Sequence, residues 1–385
     1  MLEFGEEQDF KYNVDIKVIG VGGGGTNAVK HMMNSDMKGI DFWVANTDSQ
    51  SLGTFNKENR IYLGQNLTKG LGAGADPDKG KKAAIESEDA IKTALRGADM
   101  VFIAAGMGGG TGTGAAPVIA KIAHDLGALT VAVVTTPFGF EGGKRRAQAS
   151  EGLQELRPNV DSLIVVSNET LLQMHGNIPL NDAFGKANDI LMQSVRAITN
   201  VVSENSRINV DFADIKTVMK DKGTAMIGMG KAFGDSKAKD AATLAISSPL
   251  LGSTLKGAKN AIVDIIGGST MTLQDANEAV ELIREAAGEH INIIFGVSID
   301  ENVSLTQAED DFMSVTVIAT EFSNSNHSRI SLDPVLEKMI EPKPVVVETP
   351  VIPKEEPAQI TPKEELDTDD GVDIDFALPS FLRRR

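Results

Sequence analysis

The residues best suited to chemistry form a run of glycine and threonine, Gly108-Gly109-Gly110-Thr111-Gly112-Thr113-Gly114. Glycine leaves backbone N–H groups accessible and the threonines add two hydroxyls, which together make a nest for an anion. The run follows an apolar stretch, 100–105, and precedes a helical pattern, 115–126, whose first N–H groups would also face the ligand. It lacks the G-x-x-x-x-G-K-[ST] pattern of the common P-loop. We therefore predict a phosphate-binding loop of another kind.

A second glycine cluster, 20–25, matches G-x-G-x-x-G between a predicted strand and a predicted helix. This context is typical of dinucleotide binding, and a Rossmann-type NAD-dependent oxidoreductase is one reading of it; a purely structural tight turn is another. A nicotinamide enzyme needs an acidic residue about 20 positions further on to bind a ribose hydroxyl. Asp48 is a poor match to that position, and the oxidoreductase reading leaves residues 108–114 unexplained.

A third glycine-rich turn occupies residues 69–77 and also precedes a helical pattern. It can close over a terminal phosphate, or it can be an ordinary surface loop.

Short apolar strands are predicted to position these loops, at 14–21, 40–46, 100–105, 129–135 and 163–167. Helical stretches such as 80–95 and 115–126 separate them. Strands that alternate with helices predict an α/β fold with a mostly parallel sheet covered on both faces.

A long helix is predicted from about residue 179 to 203, because apolar residues recur there at steps of three and four. Beyond it, strand patterns at 225–230, 261–266, 291–297 and 313–320 and helical patterns at 237–247 and 273–287 predict a second, smaller α/β domain. The predicted organisation is an N-terminal extension (1–13), a nucleotide-binding domain (14–178), a central helix (179–203) and a second domain (204–322).

Residues 323–372 are rich in proline, glutamate and aspartate and predict a flexible acidic linker, since they offer little apolar surface to bury. Apolar and basic residues return in 373–385. A disordered tail that ends in this way is typical of a docking peptide. The alternative is a frayed terminus with chance hydrophobic residues.

Composition excludes several classes of protein. A formal charge of −17 disfavours DNA or RNA as a partner, although one nucleotide can still be held by backbone amides. The absence of cysteine excludes disulfides and cysteine-ligated metals. The acidic first residues and the lack of about 20 consecutive apolar residues predict a soluble, cytoplasmic protein with no export signal.

The motifs in this order resemble the FtsZ family of bacterial tubulin-like cell-division GTPases over about the first 320 residues and the terminal peptide. The run 108–114 is similar to the family's version of the tubulin signature loop. Segments 22–27, 46–48, 72–74 and 135–142 are similar to its other nucleotide loops, and 378–383 is similar to its partner-binding tail.

The resemblance implies a tubulin-like two-domain fold and GTP or GDP as ligand, with Mg²⁺ accompanying GTP. Glu141 and Arg145 would lie at the ribose and phosphates, Asn168 and Asp189 would recognise ribose and guanine, and Phe184 would stack on the base. From the residues alone, a solvated basic face is the alternative interpretation of Arg145, and the core of the long helix is the alternative interpretation of Phe184. The implied GTP-binding set is Gly22, Gly23, Gly24, Gly25, Thr26, Asn27, Asn46, Asp48, Ala73, Gly74, Gly106, Gly108, Gly109, Gly110, Thr111, Gly112, Thr113, Gly114, Pro137, Glu141, Arg145, Asn168, Phe184, Asn188 and Asp189.

The segment 209–214 resembles the family's catalytic loop, which implies catalytic roles for Asn209, Asp211 and Asp214. In the family this loop serves the nucleotide of the next subunit, so hydrolysis requires head-to-tail assembly into filaments, which form the ring at the mid-cell division site. Without the resemblance, Asp211 is simply an N-cap before the helical pattern 212–219, and a non-catalytic nucleotide-sensing scaffold is a further reading.

The terminal peptide is implied to bind membrane-tethering and regulatory division proteins through Phe376, Leu378, Pro379, Phe381, Leu382 and Arg383. Two positions depart from the family pattern. Thr26 stands where many relatives carry asparagine, and Thr136 stands where arginine is common. These departures affect base contacts and subunit contacts rather than the core mechanism.

Overall fold

Ten strands form one sheet in the computed structural model, which describes residues 14–35, 37–176, 179–202, 208, 210–252, 254–288, 290–300 and 311–322. The strands are β1 Ile16–Val21, β2 Ile40–Asn46, β3 Arg60–Tyr62, β4 Met100–Gly106, β5 Leu129–Thr136, β6 Ser162–Ser167, β7 Gly223–Phe233, β8 Ala258–Gly267, β9 Asn292–Ile299 and β10 Phe312–Phe322.

Helices lie between most of these strands. They are α1 Gly22–Met33, α2 Ser49–Leu52, α3 Gln65–Thr68, α4 Pro77–Glu86, α5 Glu88–Leu95, α6 Thr111–Asp125, α7 Gly143–Leu156, α8 Asn168–His175, α9 Leu180–Val202, α10 Phe212–Met219, α11 Lys237–Ile246 and α12 Leu273–Ala287. Short 3-10 turns occur at Lys57–Asn59, Gly139–Glu141, Arg157–Asn159 and Pro249–Leu251. No helix in the described ranges is both long and apolar enough to cross a membrane.

The sheet order is β3-β2-β1-β4-β5-β6-β7-β10-β8-β9. The pairs from β3 to β7 are parallel, β10 is antiparallel to both β7 and β8, and β9 is parallel to β8. The predicted α/β fold with a mostly parallel sheet and helices on both faces is confirmed.

Alternating side chains of each strand supply two separate cores. In β1, Val18 packs in one hydrophobic cluster and Ile19 in the other, on the opposite face. A third cluster, from β8, β10, α11 and α12, fills the second half of the chain. Helix α9 contacts α1 and β5 as well as β8 and β9, so it spans both halves of the sheet.

Strand β7 joins the two halves. Residues 223–225 pair with β6, and residues 226–233 pair with β10. The sheet is therefore continuous where the sequence predicts two domains, and the boundaries of those domains stay a prediction. The N-terminal extension, Asn209, the linker 323–372 and the terminal peptide, including its six partner-binding residues, lie outside the described residues.

The helix boundaries differ from the predictions at the glycines. Helix α1 begins at Gly22 and α6 at Thr111, so the glycine loops themselves form the first helical turns. The predicted helix 80–95 is two helices that break at Ser87. The Ser87 hydroxyl donates to the Tyr62 carbonyl and accepts from the Gly64 N–H, and these bonds hold the break against the end of β3. Helices α7 and α8 are present in addition to the predicted elements.

Candidate functional site

The two main glycine loops lie side by side because β1 and β4 are neighbours in the sheet. The β1 strand ends at Val21 and leads into α1, and β4 ends at Gly106 and leads to α6. The strand order reverses between β1 and β4, and in parallel sheets a crevice opens at the carboxyl ends of the strands at such a point. Both helices therefore begin at the same crevice.

Backbone packs directly on backbone where the loops meet. A Cβ placed on Gly22, whose φ is +69°, would lie 2.7 Å from the amide nitrogen of Gly112. A Cβ placed on Gly112 would lie 2.4 Å from the carbonyl oxygen of Gly106. Only glycine permits this approach, so Gly22 and Gly112 are required for the two loops to pack together.

A cleft of about 370 Å³ opens over these loops. Its walls come from the glycine loops, the segment after β5, the start of α7 and one face of α9. The predicted residues that line it are Gly23, Gly24, Asn27, Gly106, Gly109, Gly110, Thr111, Gly112, Pro137, Glu141, Arg145, Asn168, Phe184 and Asn188. Met107, Thr135, Ala187 and Leu191 line it as well; the 3.6-residue periodicity that assigns Ala187 and Leu191 to the apolar side of α9 also marks this face.

One end of the cleft is suited to phosphate. Among the described residues, no side chain caps the N-terminus of α1 or α6. Gly23 and Gly109 face open space, with no atom of the described residues within 4 Å of a Cβ placed on either. Free N–H groups and the positive ends of two helix dipoles thus converge on one point. Thr113 holds the loop in shape, because its hydroxyl accepts from the Gly108 N–H at 2.8 Å.

Glu141 and Arg145 lie on one rim of the cleft and form an ion pair one helical turn apart. Glu141 also accepts a hydrogen bond from the Phe138 N–H at 2.9 Å, which fixes the carboxylate in place. Half of the Arg145 side chain is exposed, so its guanidinium can turn toward an anion in the cleft.

The other end of the cleft is lined by an aromatic ring and by side-chain amides. Asn168 is buried, and its side-chain oxygen has no partner among the described residues. A buried acceptor without a donor is costly unless a ligand supplies one. Phe184 is 45% exposed and lines the cleft, so it is not the core residue that periodicity alone would suggest. Phe138 packs edge-on against its ring and supports it.

Several predicted residues lie beneath the cleft rather than in its lining. Gly25 packs against the Ala104 carbonyl, and Thr26 is buried with a hydroxyl that has no partner in the described part of the chain. Gly114 packs against the Pro77 carbonyl and lets α4 approach α6 closely. These residues, together with Gly22, Gly108 and Thr113, shape the glycine loops from below.

The predicted nucleotide loop 46–48 is bonded to the third glycine-rich turn, because the Gly72 N–H donates to the Thr47 carbonyl at 3.0 Å. The Asp48 carboxylate accepts from the Gln50 N–H and from the Ser51 hydroxyl, so it caps α2. Asn46 lines a neighbouring cavity of about 380 Å³. The third loop packs on the glycine run, because the methyl group of Ala73 lies 2.8 Å from a Cβ placed on Gly110. Gly74, with φ of +66°, has open space around it.

Asp189 is engaged away from the cleft lining. One carboxylate oxygen lies 2.7 Å from Nε2 of His31, and the other lies 3.6 Å from Nζ of Lys186. The pairing of α9 with α1 through His31 is not visible in the sequence, because the two residues are distant in the chain.

The acidic pair of the predicted catalytic loop lies far from this cleft. Val201 near the end of α9 accepts a hydrogen bond from the Val210 N–H, which places Asp211 beside that end. The cleft-lining Asn188 is 13 residues earlier on the same helix, which corresponds to roughly 20 Å at 1.5 Å per residue. The carboxylates of Asp211 and Asp214 therefore cannot reach a ligand in the cleft of their own molecule.

Asp211 occupies the N-cap position of α10, which agrees with the prediction made without the family resemblance. Its side chain makes no capping hydrogen bond to a described residue. Asp214 follows in the first turn, and both residues are exposed. An N-cap aspartate normally accepts from the next turn of the helix. The two carboxylates are thus presented on the surface.

Two family models match the chain. The Tubulin/FtsZ family GTPase domain matches residues 15–176, and the FtsZ family C-terminal domain matches residues 223–323. The first of these covers both glycine loops, so the comparison gives no support to an NAD-dependent oxidoreductase.

The relatives agree with these models. The cell division protein FtsZ of Mycoplasmopsis pulmonis (strain UAB CTIP) is 44% identical over 394 residues, which cover 98% of each chain. An FtsZ dimer structure from M. jannaschii is 40% identical, covers 81% of this chain and 89% of its own, and superposes with a TM-score of 0.76. CetZ2 of Haloferax volcanii, solved as a GTPγS-bound protofilament, has a TM-score of 0.66 at 19% identity, with 84% and 97% of the two chains covered, and shares the fold. The chain belongs to the FtsZ family of tubulin-like cell-division GTPases.

Proposed function

We propose that this GTPase binds GTP in the cleft of one molecule and hydrolyses it only when a second molecule brings Asp211 and Asp214 to the phosphates. The observation that carries the proposal is the separation of the two halves of the site. The cleft offers anion-binding helix N-termini, and the exposed acidic pair lies at the other end of α9, roughly 20 Å away.

The cleft orients the nucleotide along its length. The phosphates bind the N-termini of α1 and α6, with Arg145 turning from Glu141 to a phosphate oxygen. Glu141 and the unpartnered Asn168 oxygen then accept from ribose hydroxyls. The base stacks on Phe184, and Asp189 reaches the guanine edge after its contact with His31 breaks. Of the remaining predicted residues, those in the glycine loops shape the loops, whereas Asn46 and Asp48 belong to the neighbouring turn.

Among the described residues, Glu141 alone contributes a carboxylate to the lining of the cleft, and ribose hydroxyls engage it once Arg145 has turned to the phosphates, so no carboxylate of the lining is left for a cation. Such a lining fits a triphosphate that carries Mg²⁺ held mainly by phosphate oxygens and water, and the cation neutralises charge on the phosphates when it is bound. Asp211 and Asp214 of the neighbouring molecule orient the attacking water and accept its proton, with Asn209 beside them.

A contact in which one end of a molecule meets the opposite end of the next does not close on itself and produces a filament. We infer that such filaments form the cytokinetic ring at the mid-cell division site, in the cytoplasm. In this scheme, residues 14–178 bind GTP, α9 transmits the state of the nucleotide, and residues 204–322 activate the next subunit.

The Asp214→Ala variant tests the shared site. It should bind GTP and scatter light as an assembled polymer, and its phosphate release should fall by about 10²–10⁴-fold, the usual contribution of a general base. Lys220→Ala, at the other end of α10, is the matched control and should keep its turnover. Turnover of the native protein that stays strictly proportional to protein concentration in the dilute range would falsify the proposal.

The terminal peptide is proposed to bind a membrane-tethering or regulatory division protein. Deleting 376–385 should remove binding to that partner and leave GTP turnover unchanged. Partner binding is measured by co-sedimentation with assembled filaments, and turnover by phosphate release. A large loss of turnover would mean that the peptide belongs to the folded body.

A further inference from the structure

Three potential metal ligands from separate elements meet at the amino-terminal ends of β5 and β6, whereas the nucleotide cleft lies at the carboxyl ends of the strands. His124 lies near the end of α6, Asp161 immediately precedes β6, and Asp221 lies between α10 and β7. One ligand atom of each lies within 4.8 Å of those of the other two. Within the described ranges, this is the one group of three or more histidine, cysteine, aspartate or glutamate residues close enough together to hold a metal ion.

The position separates this cluster from the GTP site. Asp161 accepts from the N–H of Thr130, near the start of β5, whereas Thr135 on the same strand lines the cleft. Five residues of strand correspond to roughly 16 Å. A ligand at the cluster therefore does not touch the nucleotide.

Asp161 is the anchor of the cluster. It is 2% exposed, and its two carboxylate oxygens accept from the backbone N–H groups of Thr130 at 2.8 Å and Asp221 at 3.2 Å. These bonds fix the orientation of the carboxylate and leave a lone pair free on each oxygen. Hydrogen bonds of this kind are how proteins orient carboxylates that ligate metals.

The charge of this carboxylate has no cationic partner in the described part of the chain. Neither Asp161 nor Asp221 forms an ion pair with a described lysine or arginine. Lys222, the adjacent cation, bonds instead to Glu321 at 2.6 Å. Buried charges in proteins are normally paired or coordinate metals, and a second carboxylate nearby makes a cation more favourable still.

We propose that His124, Asp161 and Asp221 bind a divalent transition-metal ion of the zinc class. One imidazole nitrogen and two carboxylate oxygens are a donor set that suits Zn²⁺, with water as the fourth ligand. Tetrahedral ligands about 2.1 Å from zinc lie roughly 3.4 Å apart, so side-chain rotations of His124 and Asp221, both exposed, bring the atoms into range. Mg²⁺ and Ca²⁺ prefer all-oxygen shells and do not fit.

The ion would join α6, the start of β6 and the segment that follows α10. It would thus stabilise the end of the helix on which Asp211 and Asp214 lie. The binding site itself does not depend on the function proposed for those two residues.

Zn²⁺ titration of the full-length, nucleotide-free protein tests the proposal. Calorimetry should detect one site, and Co²⁺ used as a probe should give visible d–d absorption that Zn²⁺ removes and excess Mg²⁺ does not. His124→Asn and Asp221→Asn should each weaken Zn²⁺ binding at least about tenfold, since even indirect partners of metal ligands matter that much.

His124→Asn and Asp221→Asn are both expected to fold. His124 is exposed, and Asn tolerates the left-handed backbone of Asp221, whose φ is +56°, better than most residues. Asp161 is not varied because it holds two backbone groups. His290→Asn, at another exposed histidine, is the matched control and should bind Zn²⁺ normally. Equal Zn²⁺ affinity in His124→Asn and native protein, or no stoichiometric binding at all, would overturn the proposal.

Discussion

Asp264 on β8 has a carboxylate buried between the sheet and α9. The side-chain amide of Asn200 donates to its two oxygens at 3.3 and 3.5 Å. Burial raises the pKa of Asp264 to about 7, and the amide and the nearby Arg196 guanidinium only partly offset this. The folded protein therefore holds this proton more tightly than the unfolded chain, so stability falls as pH rises from about 4 to 7 and then levels off.

The Asp264→Asn variant should consequently be more stable than the native protein at pH 8 and nearly equal to it at pH 4. The rise in pKa from 3.8 to about 7 corresponds to an effect on the order of 4 kcal/mol as an upper bound. Urea unfolding at pH 4, 6 and 8 measures the difference. Asp240→Asn, at an exposed aspartate on α11, is the control. An equal effect of Asp264→Asn at all three pH values would contradict the assignment.

Helices α1 and α6 carry the phosphate end of the cleft, and their geometry depends on two backbones in contact. Their first turns contain glycine because Gly22, Gly24, Gly106 and Gly112 pack against one another without side chains between them. Helix propensity disfavours glycine in a first turn only weakly, and the close approach requires it. The glycines in these first turns thus allow the two loops to pack closely at the crevice, and they do not add to the stability of the helices.

Gly112→Ala tests this packing. Its methyl group would lie 2.4 Å from the Gly106 carbonyl oxygen, so the loops must separate, and we expect a loss of about 1–3 kcal/mol in stability together with weaker GTP binding. Gly109→Ala places a methyl group in open space and should unfold like the native protein. Thermal unfolding and nucleotide titration measure both properties. If the two variants lose equal stability, backbone contact is not the cause.

At the scale of the whole molecule, the cleft that is proposed to bind GTP is separated from Asp211 and Asp214, which are proposed to activate water. Helix α9 is 23 residues long and has cleft-lining residues at one end and α10 beside the other. A helix of this length keeps the cleft and the acidic pair far apart within one molecule. Complementary ends of this kind suit a head-to-tail contact.

Mixing two inactive variants tests the contact directly. Gly109→Glu puts a carboxylate in the phosphate end of the cleft and leaves α10 intact, whereas Asp214→Ala leaves the cleft intact. Each variant alone should release little phosphate from GTP. An equimolar mixture should regain turnover, because the cleft of one variant meets the acidic pair of the other. A mixture as inactive as its components would argue for a site within one molecule.

Local patterns in the sequence were sufficient for much of the fold. Apolar runs predict β1, β2, β4 and β5 to within about two residues. The signal is continuous in β1, β4 and β5 because these strands are buried on both faces, whereas β2 is buried only from Val44 to Asn46. Helices α7 and α8 were missed, since α7 is largely polar and its apolar positions are few. The glycine run 108–114 by itself predicts an anion nest, because that chemistry depends on consecutive backbone amides.

Only the tertiary structure decided how distant residues combine. The order of β1 and β4 in the sheet sets the two glycine loops side by side, the burial of Asn168 leaves an acceptor in the cleft, and the length of α9 keeps Asp211 and Asp214 away from it. The contact of His31 with Asp189 and the meeting of His124 with Asp161 and Asp221 likewise join separate parts of the chain. The periodicity of a sequence indicates which face of a helix or strand is buried. The distances between helices and strands depend on sheet order and packing, which a local sequence pattern does not encode.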